Sequence, residues 1–118
     1  MKNRLRTAHT AQKYRDFVAS GGLDTQCALC FATPIHIFKY WKIICNDFPY
    51  DRIADIHDMI VPIRHSTENS LSKEEKEEFL TIKESHLQAY ELLIEATYKI
   101  KSIPAHFHIH LVNVKEAT

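Results

Sequence analysis

The sequence predicts an α+β fold in which apolar strands are combined with amphipathic helices. Three patterns lead to this prediction: histidines alternate with apolar residues over 104–112, short apolar runs occupy 40–45 and 57–62, and apolar residues recur at helical spacing over 73–100. A period of two is typical of strands and a period near 3.6 of helices. The chain has 118 residues, 45% of them hydrophobic, which suits one domain with its own core. We therefore expect a single domain over 1–118.

The N-terminal region predicts an arm followed by a helix. Apolar residues recur at helical spacing between Thr10 and Ser20, and the pair that begins with Gly21 would end the helix. Residues 1–9 precede this pattern, and we expect them to form a disordered arm.

A second, longer helix is predicted to begin at Lys73. Ser72 and Glu75 have the spacing of a capping box, in which each residue satisfies a backbone N–H group at the start of a helix. Apolar residues then follow with a period near 3.6. We expect this central helix to run to about Ile100, before Pro104 leads into the histidine segment.

Composition and charge exclude several classes of function. The 15 basic and 15 acidic residues balance, and no basic stripe is present, so nucleic-acid binding is not expected. The basic start is followed by no apolar stretch that could act as a signal sequence, and no apolar run is long enough to span a membrane. We expect a cytoplasmic protein that does not bind membranes, with a small anionic ligand still compatible.

Three histidines at alternate positions form the most informative motif. In a strand, His106, His108 and His110 would share one face, while Phe107 and Ile109 would pack on the other. A helix would separate His108 from its two neighbours. The row predicts a functional site, although a solvent-facing row on an edge strand and a set of metal ligands are the alternatives.

Two cysteines predict a metal site. Cys27 and Cys30 have the two-residue gap of a zinc knuckle, in which one turn brings two thiolates to the same ion. His57 and His106 open two strands, and adjacent antiparallel strands could bring both imidazoles to the knuckle. A Cys2His2 zinc site of this kind would be structural. A redox pair or two buried thiols would show the same cysteine spacing.

The histidine row also predicts nucleophilic catalysis. A neutral imidazole nitrogen can attack phosphorus to give a phosphoramidate intermediate, provided that a hydrogen-bond acceptor fixes the tautomer through the other nitrogen. His108, the central member of the row, is the candidate nucleophile.

The chain resembles the histidine triad superfamily. Its signature, His-φ-His-φ-His-φ-φ with φ apolar, is matched from His106 to Val112. Residues 46–50 and 57–65 resemble the family segment in which an Asn and a Pro-Tyr turn precede a strand that ends in Pro, a basic residue and His. Residues 71–75 resemble the start of the family's central helix. The resemblance covers roughly 27–112.

The resemblance implies a fold and a metal site. Members have a five-stranded antiparallel sheet with helices packed against it, and many form homodimers. Their zinc-bearing branch uses a Cys-x-x-Cys pair, a strand histidine and the first histidine of the triad. The implied ligands are Cys27, Cys30, His57 and His106.

The resemblance also implies an activity on nucleotides. Members attack the α-phosphorus of nucleoside phosphoramidates, dinucleoside polyphosphates or related esters through the middle histidine, here His108, and His110 would contact the phosphate or position the nucleophile. Asn46 and His65 match positions near the nucleotide. Trp41, Phe38 and Ile43 are candidates to line a nucleobase pocket; these three come from residue type alone.

One departure from the family pattern leads to a second interpretation. Active members hold the phosphate with a Gly-rich loop before the triad, whereas this chain has no glycine after Gly22. Residues 97–104 stand in that place, where Ser102, Lys99 or Lys101 could replace the missing phosphate donors. The alternative is a catalytically inactive, zinc-stabilised module that binds a nucleotide or a protein. A third possibility is a metal-dependent enzyme whose ion lies among the triad histidines.

Overall fold

The computed structural model of the protein describes residues 5–22, 27–97, 103 and 105–116. The predicted fold class is confirmed: an antiparallel sheet of five strands is combined with helices. The α-helices are α1 (Ala8–Ala19), α2 (Ala28–Phe31) and α3 (Lys73–Ser85), and short 3-10 turns occupy Glu68–Ser70 and His86–Ala89. The strands are β1 (Pro34–Ile37), β2 (Trp41–Cys45), β3 (Ala54–Pro62), β4 (Leu92–Ile94) and β5 (Ile109–Val114).

The sheet has the order β1-β2-β3-β5-β4, and every neighbouring pair is antiparallel. Strands β2, β3 and β5 were expected from the sequence. Strand β5 starts at Ile109, later than the predicted strand, and β3 starts at Ala54, earlier than predicted. The centre of the sheet is the β3–β5 pair, which brings two histidine-bearing segments side by side.

The central helix α3 starts where the capping box predicts. The Ser72 hydroxyl accepts a hydrogen bond from Glu75 N at 3.0 Å, and the Glu75 carboxylate accepts one from Ser72 N at 2.7 Å. The predicted end near Ile100 is wrong, because α3 ends at Ser85 and the chain then forms β4. Pairing of β4 with the open edge of β5 supplies backbone hydrogen bonds that outweigh the helical periodicity of this region.

The predicted arm is partly ordered. Helix α1 begins at Ala8, within residues 1–9, and Thr7 is its N-cap. The Thr7 backbone N–H and hydroxyl both donate to the Asp51 carboxylate, at 2.7 and 3.0 Å. This contact fixes the start of α1 against the turn that precedes β3.

The two faces of the sheet differ in character. One face packs against α3 through an apolar cluster that contains Trp41, Ile43, Ile82 and Leu111. The other face carries the histidine row and a smaller cluster formed by α2 and the sheet. Trp41 and Ile43, together with Phe38 on the same cluster, therefore lie on the face opposite the histidine row. A nucleobase pocket lined by them would be separate from His108. None of the helices described is long and apolar enough to cross a membrane.

Candidate metal centre and histidine cleft

The three histidines of the row are buried on one face of the sheet, as their spacing predicts. His106, His108 and His110 are 0, 4 and 4% exposed. Phe107 and Ile109 alternate with them and belong to the apolar cluster on the opposite face. A solvent-facing row on an edge strand is therefore excluded for these residues.

Four side chains converge at the first histidine of the row. Potential ligand atoms of Cys27, Cys30, His65 and His106 all lie within 4.8 Å of one another, and the group could hold a metal ion. His106 Nδ1 is 3.4 Å from each cysteine Sγ, and His65 Nδ1 is 3.3 Å from Cys30 Sγ. We refer to these four residues as the metal cluster.

The donor set and its spacing fit zinc. Zn–S and Zn–N bonds of about 2.3 and 2.0–2.1 Å at tetrahedral angles would separate sulfur from nitrogen by ~3.6 Å. The three measured sulfur-to-nitrogen distances are 3.3–3.4 Å, so a small outward movement of the side chains would complete the tetrahedron. Two thiols and two imidazoles are also a common structural zinc set.

Short structural elements hold the metal cluster in place. Cys27 is the N-cap of α2 and Cys30 lies inside that single helical turn, so the two thiols face the same point. The buried Lys42 ammonium donates to the carbonyl oxygens of Cys30 and Ala32, at 3.0 Å each. These two hydrogen bonds tie the knuckle to β2, and they satisfy a cation that would be costly to bury alone.

Hydrogen bonding prepares His106 to act as a ligand. Its Nε2 lies 2.8 Å from the carbonyl oxygen of Pro62, which can only accept, so Nε2 carries the proton. Nδ1 then presents its lone pair to the cysteines. A carbonyl on the second nitrogen is the usual arrangement around a metal-bound histidine.

Protonation equilibria in the metal cluster agree with this arrangement. Burial lowers the pKa of His106, which keeps the imidazole neutral as a metal ligand requires. Burial, followed by the neighbouring Cys27, raises the pKa of the Cys30 thiol. A metal ion must therefore displace a proton from Cys30 when it binds.

The metal cluster differs from the predicted ligand set in one residue, since His65 takes the place of His57. In the sheet, His57 pairs in register with Val112, six residues along the chain from His106. At about 3.3 Å per residue this separates the two histidines by roughly 20 Å along the strands. His65 follows the other end of β3, beside His106. His65, which the resemblance placed near the nucleotide, therefore lies in the metal cluster.

His57 instead belongs to a hydrogen-bonded chain with His110 and Tyr50, which we call the histidine relay. The Tyr50 backbone N–H donates to His57 Nδ1 at 2.8 Å, so the proton of a neutral His57 is on Nε2. His57 Nε2 donates to His110 Nδ1 at 2.8 Å, and His110 Nε2 lies 3.3 Å from the Tyr50 hydroxyl. Burial, followed by the charge of Arg6, lowers the pKa of His57 to about 4.

His108 lies between the metal cluster and the histidine relay. Its Nδ1 is 2.9 Å from the carbonyl oxygen of His106, an acceptor only, so Nδ1 carries the proton. Nε2 therefore carries the lone pair. His108 has the tautomer opposite to that of His106 and His110.

A cleft lies beside His108 and His110 on this face of the sheet, and we call it the histidine cleft. Asn46 lines it, and its side-chain oxygen accepts from Phe48 N at 2.8 Å while its nitrogen lies 3.3 Å from His57 Nε2. Three residues form an aromatic wall, in which the Phe48 ring contacts the rings of Tyr14 and Phe17 at centroid distances of 5.2 and 5.0 Å.

Other functional candidates were missed by sequence reasoning or lie outside the described part of the chain. Lys42 and Arg6 were not singled out, because a lysine in a strand and an arginine in a basic arm carry no local signal of burial. Ser102, Lys99 and Lys101, the candidate phosphate donors, fall outside the described residues.

Comparison with known proteins gives no assignment: no protein-family model matches the chain, and a search of curated proteins found no match. A functional assignment therefore depends on the geometry of the metal cluster, the histidine relay and the histidine cleft.

Proposed function

We propose that the protein is a nucleotide hydrolase or nucleotidyltransferase of the histidine triad type. Its substrates would be nucleoside phosphoramidates, dinucleoside polyphosphates or related esters, attacked at the α-phosphorus. The observation that carries the proposal is the hydrogen bond of 2.9 Å between His108 Nδ1 and the His106 carbonyl oxygen. It assigns the lone pair to His108 Nε2, the atom that must act as nucleophile.

The proposed reaction has two steps. His108 Nε2 forms a bond to the α-phosphorus while the bond from phosphorus to the leaving group breaks, and the leaving group departs with the electron pair and takes up a proton. The imidazole becomes cationic, and its Nδ1–H remains bonded to the His106 carbonyl, which stabilises that charge. Water or another acceptor then forms a bond to phosphorus while the bond from phosphorus to His108 Nε2 breaks. His108 leaves as the neutral imidazole, and the acceptor releases a proton to solvent that balances the one taken up by the leaving group.

Zinc in the metal cluster would have a structural role in this proposal. Four protein ligands fill a tetrahedral ion and leave no open position for substrate. The same residue, His106, provides a ligand nitrogen to the cluster and the carbonyl that orients His108. Zinc would thus hold the backbone that fixes the nucleophile.

The histidine cleft supports a nucleotide as ligand. Its aromatic wall offers faces on which a base can stack. Asn46 can donate or accept hydrogen bonds at the cleft, and His110 shares the face of His108. In this proposal His110 keeps its position through His57 and Tyr50 and contacts the transferring phosphate.

The test is turnover of an adenosine phosphoramidate and a diadenosine polyphosphate by zinc-loaded protein. Wild type is compared with His108→Ala and with His9→Ala, a control that removes an exposed histidine of α1. We expect turnover in wild type and in the control, and none in His108→Ala. Intact-mass measurement after rapid acid-free quenching should detect a nucleotidyl adduct in wild type only.

The alternative is a binding module that has lost catalysis, which the absence of glycine after Gly22 favours. Folded, zinc-replete protein that binds nucleotide without turning it over would favour this module. Equal turnover in wild type and His108→Ala would remove the nucleophile assignment.

A further inference from the structure

Arg6 is a buried arginine that forms no ion pair with any residue the structure describes, and Asp51 is the carboxylate that acts on it from a distance. It is only 7% exposed. Within the described residues, the two ion pairs are Arg64–Glu75 and Lys73–Glu77, and neither involves Arg6. Buried charges are normally paired, because leaving water is costly for an isolated ion. Arg6 therefore keeps hydrogen-bonding capacity that an anionic ligand could use.

The guanidinium group of Arg6 lies at the histidine cleft. Its Nε donates to the carbonyl oxygen of Phe48 at 2.7 Å, and its central carbon is 4.4 Å from the Tyr14 ring centroid and 5.2 Å from that of Tyr50. Arg6 lines the cleft together with His108. The terminal amino groups have no hydrogen bond to any part of the chain that the structure describes, and they are not sealed from the cleft.

The backbone on both sides of Arg6 is fixed. Arg52 N donates to the carbonyl oxygen of Leu5 at 3.0 Å, and Thr7 is held by two hydrogen bonds to Asp51. The guanidinium is therefore positioned before any ligand arrives, and little conformational entropy is lost when it binds.

We propose that Arg6 binds the phosphate group of the ligand in the histidine cleft. The proposal rests on the function proposed above, because the phosphate bound by Arg6 would be the one that His108 attacks. The chain has no glycine after Gly22 that could form a phosphate loop before the triad. In this proposal Arg6, in the N-terminal arm, binds the phosphate instead. Arginine suits this role because its planar fork can donate two hydrogen bonds to phosphate oxygens.

The charges of the cleft support an anionic ligand only if Arg6 takes part. Among the described lining residues Arg6 is the one lysine or arginine, and Asp47 is the one carboxylate. Without Arg6 the cleft would repel a phosphate. With Arg6 beside an aromatic wall, the cleft fits a nucleoside monophosphate group, which joins a flat base to a compact anion.

The experiment compares the binding of AMP, adenosine and inorganic phosphate to zinc-loaded protein by calorimetry. Wild type is measured beside Arg6→Gln, Arg6→Lys and Arg15→Gln. Arg15 is an exposed arginine of α1 that bonds to Gln12, so its variant removes the same charge outside the cleft. A thermal melt of each variant shows whether it is folded.

We expect Arg6→Gln to weaken AMP binding by about 10- to 100-fold, the range for loss of a charge-assisted hydrogen bond, while adenosine binding changes by less than about twofold. Arg6→Lys should keep part of the AMP affinity, because it retains the charge. Arg15→Gln should bind AMP as wild type does. Added salt should weaken AMP binding to wild type more than to Arg6→Gln.

Three results would overturn the proposal: equal AMP affinity in wild type and Arg6→Gln, parallel losses of AMP and adenosine affinity in both Arg6 variants, and no binding of AMP or phosphate by folded wild type. Equal AMP affinity would contradict only the role of Arg6, because turnover that depends on His108 could still be observed. Arg6-dependent AMP binding in a protein without turnover would instead contradict the catalytic proposal and support the phosphate contact.

Discussion

The metal cluster and the histidine relay lie on the same face of the sheet and contain the same residue type, yet hydrogen bonding prepares them for different roles. In the metal cluster, His106 bonds to a carbonyl with one nitrogen and presents the other to two thiols. In the relay, His57 bonds to Tyr50 N with one nitrogen and to His110 with the other. His106 therefore has a lone pair for a metal, whereas both nitrogens of His57 already have protein partners.

The hydrogen-bond partner of one ring nitrogen therefore decides what the other nitrogen of a buried histidine can bind. His108 illustrates the third case, because its Nδ1 donates to a carbonyl and its Nε2 lone pair belongs to a residue at a cleft. Three histidines at alternate positions thus divide into a member of the metal cluster, the proposed nucleophile and a member of the histidine relay.

Removing a thiol should have the largest effect, because it acts on the metal cluster directly. We expect Cys27→Ser to lose bound zinc and most of the stability that the ion supplies, on the order of 10 kcal/mol for small structural zinc sites. Metal analysis and thermal unfolding measure both quantities. Cys45→Ser, which changes an exposed thiol at the end of β2, is the control and should keep zinc and melting temperature.

If Cys27→Ser keeps its full zinc content and its melting temperature, the metal cluster is only a group of neighbouring thiols and imidazoles that does not bind the zinc. Equal losses of zinc and of melting temperature in Cys45→Ser and Cys27→Ser would show that the effect of removing a thiol does not depend on the metal cluster.

The histidine relay should respond to pH. The pKa of His57 is lowered from 6.5 to about 4 in the folded protein, so the unfolded chain binds a proton more readily. The stability from neutral His57 is complete above about pH 6.5 and falls by about 3 kcal/mol as pH decreases toward 4. Denaturant unfolding between pH 4 and 7.5 measures this slope.

His57→Gln is the matched variant for the pH prediction. It retains the metal cluster, so acid-induced release of zinc affects wild type and variant alike, and the difference between their slopes reports His57. Identical slopes would show that His57 does not titrate in this range.

Replacing Lys42, which supports the turn that carries Cys27 and Cys30, should have a smaller effect than removing a thiol. Lys42→Met removes the donor to the Cys30 and Ala32 carbonyls and should weaken zinc binding by about 10- to 100-fold, as for other groups that orient metal ligands. Competition with a zinc chelator measures the affinity. An unchanged zinc affinity would mean that α2 holds its shape without Lys42.

The smallest effect is expected outside both histidine clusters. Ser72→Ala removes the N-cap of α3 on the other face of the sheet and should cost ~1 kcal/mol of stability. Zinc content and the pH slope should stay as in wild type. Loss of zinc in this variant would show that general destabilisation, and not ligand removal, controls metal binding.

Patterns within one element were sufficient to predict much of the fold and part of the site. Alternation placed His106, His108 and His110 on one face, and the capping box located the start of α3 at Lys73. Both patterns depend on neighbours in sequence, whose relative positions the backbone fixes.

Features that depend on contacts between elements could not be predicted in this way. His57 and His65 lie at or near opposite ends of β3, and only its register with β5 shows which one meets His106. The apolar residues of β4 suited both helix and strand, and the open edge of β5 decided between them. Arg6 is buried through a hydrogen bond to Phe48, 42 residues away, for which its own neighbourhood gives no signal.

The most direct test of the division between ligand and relay is the absorption spectrum of Co²⁺ bound to wild type, His57→Gln and His65→Gln. We predict the intense visible bands of a tetrahedral thiolate site in wild type and His57→Gln, and their loss or marked weakening in His65→Gln. Intact bands in His65→Gln together with their loss in His57→Gln would contradict the assignment of His65 to the metal cluster, because His57 would then be the metal ligand.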